Sequence, residues 1–313
     1  MSKMSFVVSL TTADNDYQEL QAASAQETAR RLGIEVQILH AENDAIVQSQ
    51  QLLKLIQSKP GERPSAIIFE PVGGTALPQV AQAAASAGIA CAVLNHEPDY
   101  IAALRRSSRL PFFCVTSDHE EVGRIQGRQL AAVLPRGGSV LYVEGPSQSS
   151  AAKQRTLGMN HTRLATLNVK TMRGQWTEES GYRAISSWLR LSTSLRSMFD
   201  AVAAQDDSMA MGARKAFQEL GDAALRDRWL ALPFLGCDGG PGSGQAWVRR
   251  GLLTATVVIP ANAGQALELL VHAFQSGSPP PEKILTVPVS FPALETLAAD
   301  FAAKTRATSA TRG

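Results

Sequence analysis

Short apolar runs and amphipathic stretches take turns along almost the whole chain, and this alternation constrains the fold more than any other feature. Strands are expected at 5–10, 35–40, 65–70, 90–94, 111–116, 139–144, 168–172, 198–204, 232–237, 255–259 and 285–289. These runs are short and largely apolar, as strands covered on both faces should be. Between them, apolar residues recur at helical spacing over 17–32, 44–57, 75–87, 120–134, 150–165, 177–191, 208–220 and 261–276. Such alternation calls for parallel strands joined by crossover helices, with helices on both faces of the sheet. The number of strands exceeds one comfortable doubly wound sheet, so two α/β lobes are expected. The polar and basic segment 95–110 interrupts the rhythm and is expected to cover a surface.

With 313 residues, 44% hydrophobic and 19% charged, the chain has material for two cores. A net charge of +2 gives no electrostatic case for nucleic acid. The densest basic cluster, Arg105, Arg106 and Arg109, lacks the interleaved aromatics that stack on bases. No apolar run approaches the ~18 residues of a membrane span. The opening "MSKMSFVVSLTTADND" runs straight into a strand, and its apolar part is too short for a signal peptide. The chain as written is therefore expected to be cytoplasmic, and periplasmic if a signal peptide was removed. Cys91, Cys114 and Cys237 lie in apolar runs without CxxC spacing and are expected as buried free thiols.

In open parallel sheets, ligands bind beyond the carboxyl ends of the strands. At those ends stand Asn15, Tyr17, Glu70, Asn95, His96, Asp118, Trp176, Asp206 and Asp238, with Arg155 one turn into a helix. A structural role remains open for each: capping for Asp118, a turn for Asp238, a solvated helix face for Arg155, the core for Tyr17 and Trp176. Carboxylates and amides accept from hydroxyls while arginine donates in a fixed fork, so the set suits a polyhydroxylated ligand. In "AQDDSMAMGA" Asp207 or Ser208 can cap the following helix and one cap suffices, which leaves Asp206 over, as a ligand contact or a second solvated turn residue.

Enzyme signatures are weak. "SAAK" at 150–153 has SxxK spacing without an SDN or KTG partner, and is expected as a helix start capped by Ser150. "GGPGSGQ" lacks the lysine of a phosphate loop, and the histidines lack metal-ligand spacing. Neither a catalytic residue, a metal nor a cofactor is expected.

The ordered stretches "TTADNDY", "LNHEP", "TSDHEEVGRIQG", "SSAAKQRTLGM", "QDDSMAMGA" and "GCDGG" resemble the periplasmic sugar-binding proteins of the ribose and glucose/galactose type. Their fold is shared with the ligand cores of lactose-repressor-type regulators. The resemblance covers roughly residues 5–290. It implies two doubly wound parallel-sheet lobes joined by three crossover segments, with the ligand cleft between them. The N-terminal lobe would be 1–116 plus 259–286, the C-terminal lobe 117–258 plus 287–303, and 304–313 a disordered tail. Tyr17 and Trp176 would sandwich a sugar, with Asn15, Asn95, Asp118, Arg155, Asp206 and Asp238 as hydrogen-bonding positions. Glu70 and His96 complete the candidate set. The family usually carries Asn where Asp206 stands and Gln or Asn where Ile259 stands, which leaves an amino sugar or another cationic polyol open.

The function so implied is a solute-binding protein that captures a monosaccharide or related polyol by lobe closure, for an ABC-type transporter permease. The alternative is a cytosolic sugar-sensing protein that signals to a protein partner. Neither includes a chemical step, a nucleic-acid partner or a membrane span. The repressor branch is not expected, since no helix-turn-helix precedes residue 5.

Overall fold

The computed structural model describes residues 4–73, 76–191, 194 and 197–310, with the backbone alone over 304–310. The chain divides into two units, Met1–Ser117 with Pro260–Thr286 and Asp118–Ile259 with Val287–Gly313. It therefore passes from one unit to the other at 117/118, 259/260 and 286/287.

The first passage builds β1 (Ser5–Leu10), α1 (Asp16–Leu32), β2 (Glu35–His40), α2 (Ala45–Ile56), β3 (Ala66–Phe69), α3 (Pro78–Ser86), β4 (Ala90–Leu94), α4 (Tyr100–Ser107) and β5 (Phe112–Ser117). The second passage builds α5 (His119–Val133), β6 (Gly138–Glu144), α6 (Ser150–Thr162), β7 (Leu167–Arg173), α7 (Glu178–Leu189), β8 (Ala201–Ala204) and α8 (Asp207–Gln218). It continues through α9 (Ala223–Leu230), β9 (Phe234–Leu235), α10 (Gly244–Arg249) and β10 (Thr256–Val258). The chain then returns through α11 (Ala263–Ser276) and β11 (Lys283–Thr286) of the first unit, and ends in β12 (Val289–Phe291) and α12 (Leu294–Ala310) of the second.

In the first unit the strand order is β11-β5-β4-β3-β1-β2, and every pair is parallel. Alternation along β1 sends Phe6, Val8 and Leu10 to one face, where Ala25, Ala29, Leu267 and Leu270 cover them. Val7 faces the other way, into a layer with Leu52, Ile56, Val80 and Ala84. Gly33, with φ 64°, ends α1 in the left-handed conformation that a side chain disfavours.

The second unit carries a parallel sheet ordered β7-β6-β8-β9. One face packs Leu141, Val143, Val202 and Ala204 against Ile185, Met209, Ala213 and Phe217. Trp229 stacks on Phe217 at 4.7 Å and meets Trp188 edge-on at 5.6 Å. The opposite face packs Val140, Tyr142, Ala201 and Ala203 with Leu130, Met159 and Leu297. Two helix pairs here approach through glycine. A Cβ on Gly123 of α5 would lie 2.0 Å from the Arg155 carbonyl oxygen, and one on Gly158 of α6 would lie 1.9 Å from that of Glu120. Gly212 of α8 and Gly181 of α7 leave the same kind of room for each other's helix.

The structure departs from the sequence-based expectations at several elements. Part of segment 95–110 is helical: α4 buries Ile101 and Leu104, too few residues to reveal a period. The expected strand 285–289 is divided, since Val287, 73% exposed, separates β11 from β12. β12 then pairs antiparallel with β10 in a separate two-stranded sheet. Residues 304–310, expected as a disordered tail, continue α12, whose alanine-rich sequence favours helix; 311–313 lie outside the described residues. The helix expected from 75 starts at Pro78, and Thr75 lies outside the described residues.

All three cysteines are buried and unpaired with one another. Burial raises the Cys91 and Cys237 thiols far above the ordinary value and Cys114 to about 11. Among the described residues, no helix is long and apolar enough to cross a membrane.

Candidate functional site

In the first unit the candidate residues meet at the carboxyl ends of β1, β3 and β4. Asn15 caps α1, its Oδ1 accepting the N–H groups of Tyr17 at 2.9 Å and Gln18 at 3.2 Å. That cap turns Tyr17 inward, where its hydroxyl donates to the Pro260 carbonyl at 3.2 Å and lies 3.4 Å from the Asn95 amide. Glu70, half-buried, accepts through Oε2 from Gln18 Nε2 and Asn95 Nδ2, both at 3.0 Å. Asn95 holds φ 56°, an uncommon left-handed conformation for a residue with a side chain. Asn262, fully buried, donates to Asn95 Oδ1 at 2.6 Å and accepts from the Thr286 hydroxyl at 3.1 Å. Gln21 Oε1 accepts the N–H groups of both Asn262 and Ala263 at 2.8 Å. His96 follows Asn95, but its Nδ1 lies 3.3 Å from the Leu94 carbonyl rather than on this network. Burial lowers its pKa below the ordinary histidine value, which leaves a neutral imidazole at pH 7.

In the second unit Arg155, Trp176 and Asp238 come together. Arg155, 6% exposed, donates to the Gln205 carbonyl, lies 3.7 Å from the Asp238 carboxylate and spreads its guanidinium 5.3 Å from the Trp176 ring centre. Trp176 holds φ 63° just ahead of the Thr177–Ser180 capping box that starts α7. Its indole lies so close to Gly145 that a Cβ there would be 2.2 Å from the ring. Asp238 has φ 101°. Left-handed conformations at side-chain-bearing residues cost of the order of 1–3 kcal/mol and gather where geometry must be exact. Gln205, fully buried, ties the end of β8 to α6 by donating to the Ala152 carbonyl at 3.0 Å and the Thr156 hydroxyl at 2.9 Å. Asp118 accepts the Glu121 N–H at 2.8 Å as the cap of α5, a bond within its own helix.

The helix cap expected at Asp207 falls one residue earlier, on Asp206. Asp206 caps α8, with Oδ1 accepting the Met209 N–H at 2.5 Å. Asp207 is the first helical residue and accepts from the Thr256 hydroxyl and the Gly239 N–H, each at 2.7 Å. The cap must be the last residue with extended backbone, and Asp206, at φ −142° and ψ 166°, is that residue. Asp206→Ala is accordingly expected to cost about 0.5–2 kcal/mol of stability, read as a lower melting temperature without ligand. An unchanged melting temperature would contradict the capping role. At α6, likewise, Ser149 rather than Ser150 is the cap, accepting the Ala152 N–H at 3.3 Å.

Gln18, Gln21, Gln205 and Asn262 escape sequence reasoning because amides carry no motif. A signal did exist at Gln18 and Gln21, which share the inward stripe of α1 with the buried Ala25 and Thr28. Among the described residues, no group of three or more His, Cys, Asp or Glu side chains is placed to hold a metal ion.

Residues 6–277 match a family model described as a periplasmic binding protein domain. A putative rhizopine-binding protein of Rhizobium meliloti is 29% identical over 220 residues, spanning 68% of this chain and 67% of that protein. The D-allose-binding periplasmic protein of Escherichia coli K12 is 24% identical over 278 residues, 87% of this chain and 85% of the relative. A solved periplasmic solute-binding protein of an ABC transporter from Actinobacillus succinogenes, with bound D-allose, matches at TM-score 0.77 and 22% identity. That match covers 92% of this chain and 97% of the other, and shows a shared fold.

Proposed function

We propose, from the premise that the chain belongs to the periplasmic binding protein domain family, that it binds a monosaccharide or related polyol for an ABC-type importer. The recognition residues in this reading are Asn15, Tyr17, Glu70, Asn95 and His96 in the first unit, and Asp118, Arg155, Trp176, Asp206 and Asp238 in the second. The observation that carries it is the buried Arg155 lying along Trp176 with Asp238 at its side. A flat cation, an acceptor and an aromatic face together match the alternating O–H and C–H surfaces of a sugar ring. The D-allose-binding periplasmic relative supports the sugar class and a periplasmic setting, and a relative of Bacillus subtilis named as a ribose import binding protein, 24% identical over 219 residues, supports delivery to a permease. Binding and release suffice for this role, without a chemical step.

The test is a melting series with pentoses, hexoses, amino sugars and polyols. At one hundred times its dissociation constant, a true ligand stabilises the folded chain by about 2.7 kcal/mol. At least one member of the panel is expected to raise the melting temperature in a concentration-dependent way. A flat response across the whole panel would refute the sugar reading.

A further inference from the structure

Asp207, the residue after the cap of α8, is only 1% exposed. From the first turn of α8 it bridges two other segments, accepting the Gly239 N–H through Oδ2 and the Thr256 hydroxyl through Oδ1. The chamber it fills is lined by glycine. A Cβ on Gly236 would lie 2.0 Å from Oδ1, and one on Gly244 would lie 2.0 Å from Oδ2. Gly239 directly follows Asp238, so its N–H belongs to the peptide group that fixes ψ of Asp238. That residue is otherwise held at its left-handed φ by the pairing of its own N–H with the Val257 carbonyl and of its carbonyl with the Ile259 N–H, at 2.8 and 3.0 Å.

We infer that Asp207 is a positioning residue: it clamps the Asp238–Gly239 peptide against β10 and so aims the Asp238 carboxylate at Arg155 and the ligand. The inference rests on the sugar-binding reading of this site. It separates two adjacent acids, one that caps α8 and one that sets the geometry of a third.

The test uses the panel sugar that most raises the wild-type melting temperature, with affinities from calorimetry. Asp207→Asn keeps the shape and removes the charge, so one of the two donors loses its acceptor. A tenfold or greater weakening is expected, with a cooperative melt retained. In an Asp238→Ala background the same substitution should change affinity less than twofold, because no carboxylate remains to be aimed. An equal loss in both backgrounds, or unchanged affinity in Asp207→Asn, overturns the assignment. Thr256→Val removes one of the two donors and keeps the carboxylate. Measured in the same two backgrounds, it gives a smaller loss that must also vanish with Asp238→Ala, and it decides the matter if Asp207→Asn does not fold. A wild type that binds no sugar overturns the underlying reading instead, so the two failures are distinct.

Discussion

Arg155→Met is expected to weaken sugar binding at least a hundredfold and to lower the melting temperature of the ligand-free protein as well. The guanidinium donates to the Gln205 carbonyl beside an Asp238 side chain that is only 10% exposed. Taking one partner from a buried ion pair costs about 3–5 kcal/mol, because the remaining charge stays desolvated. With each 1.4 kcal/mol worth a factor of ten, even the part of that cost that falls on binding accounts for the expected loss. Arg155→Lys keeps the charge but forfeits the flat fork and its stacking on Trp176, so it should fall between wild type and Arg155→Met. Calorimetry and melting curves on the three proteins provide the check. Affinity within threefold of wild type in Arg155→Met would remove this residue from the ligand's contacts.

The second large effect is expected from a single methyl group. Gly123→Ala would put a Cβ 2.0 Å from the Arg155 carbonyl oxygen, and Gly158→Ala would put one 1.9 Å from that of Glu120. Both obstacles are backbone and cannot rotate aside, so α5 and α6 must separate. Overpacking costs about 1–3 kcal/mol, occasionally more, and these contacts lie at the upper end. For a chain with units of this size, each kilocalorie lowers the melting temperature by roughly 2–4 °C. Because α6 carries Arg155, sugar affinity should fall together with stability. Gly61→Ala, which meets nothing within 4 Å, is the control and should change little. Equal melting temperatures for Gly61→Ala and Gly123→Ala would show that the helix pair adjusts freely.

The alternation of strand and helix made the α/β class legible, because buried parallel strands and amphipathic helices leave opposite periodic marks. Position at a strand end marked out Tyr17, Glu70 and Asn95, which the structure joins in one hydrogen-bonded network, and Arg155, Trp176 and Asp238, which it brings side by side. The antiparallel pairing of β10 with β12 was not legible, since it depends on where the chain returns after α11 and not on local pattern. The order of Asp206 and Asp207 turned on a single residue of helix register, which apolar spacing cannot resolve. Asn262 left no mark at all. Its importance arises only when Gln21, Asn95 and Thr286, far apart in sequence, converge on it.

The sealed thiols bear on how this protein can be handled at the bench. Maleimides and iodoacetamide react with thiolates, and Cys91, Cys114 and Cys237 are all buried, with pKa values raised by that burial. The native surface is thus blank to such reagents, and one cysteine placed at the exposed Gln175, next to Trp176, would give a dye a unique point of attachment. The same silence makes the natural thiols clocks of opening. Cys91 and Cys114 belong to the first unit and Cys237 to the second, so brief alkylation during denaturation, read by mass, would time the loosening of each unit separately within one unmodified chain.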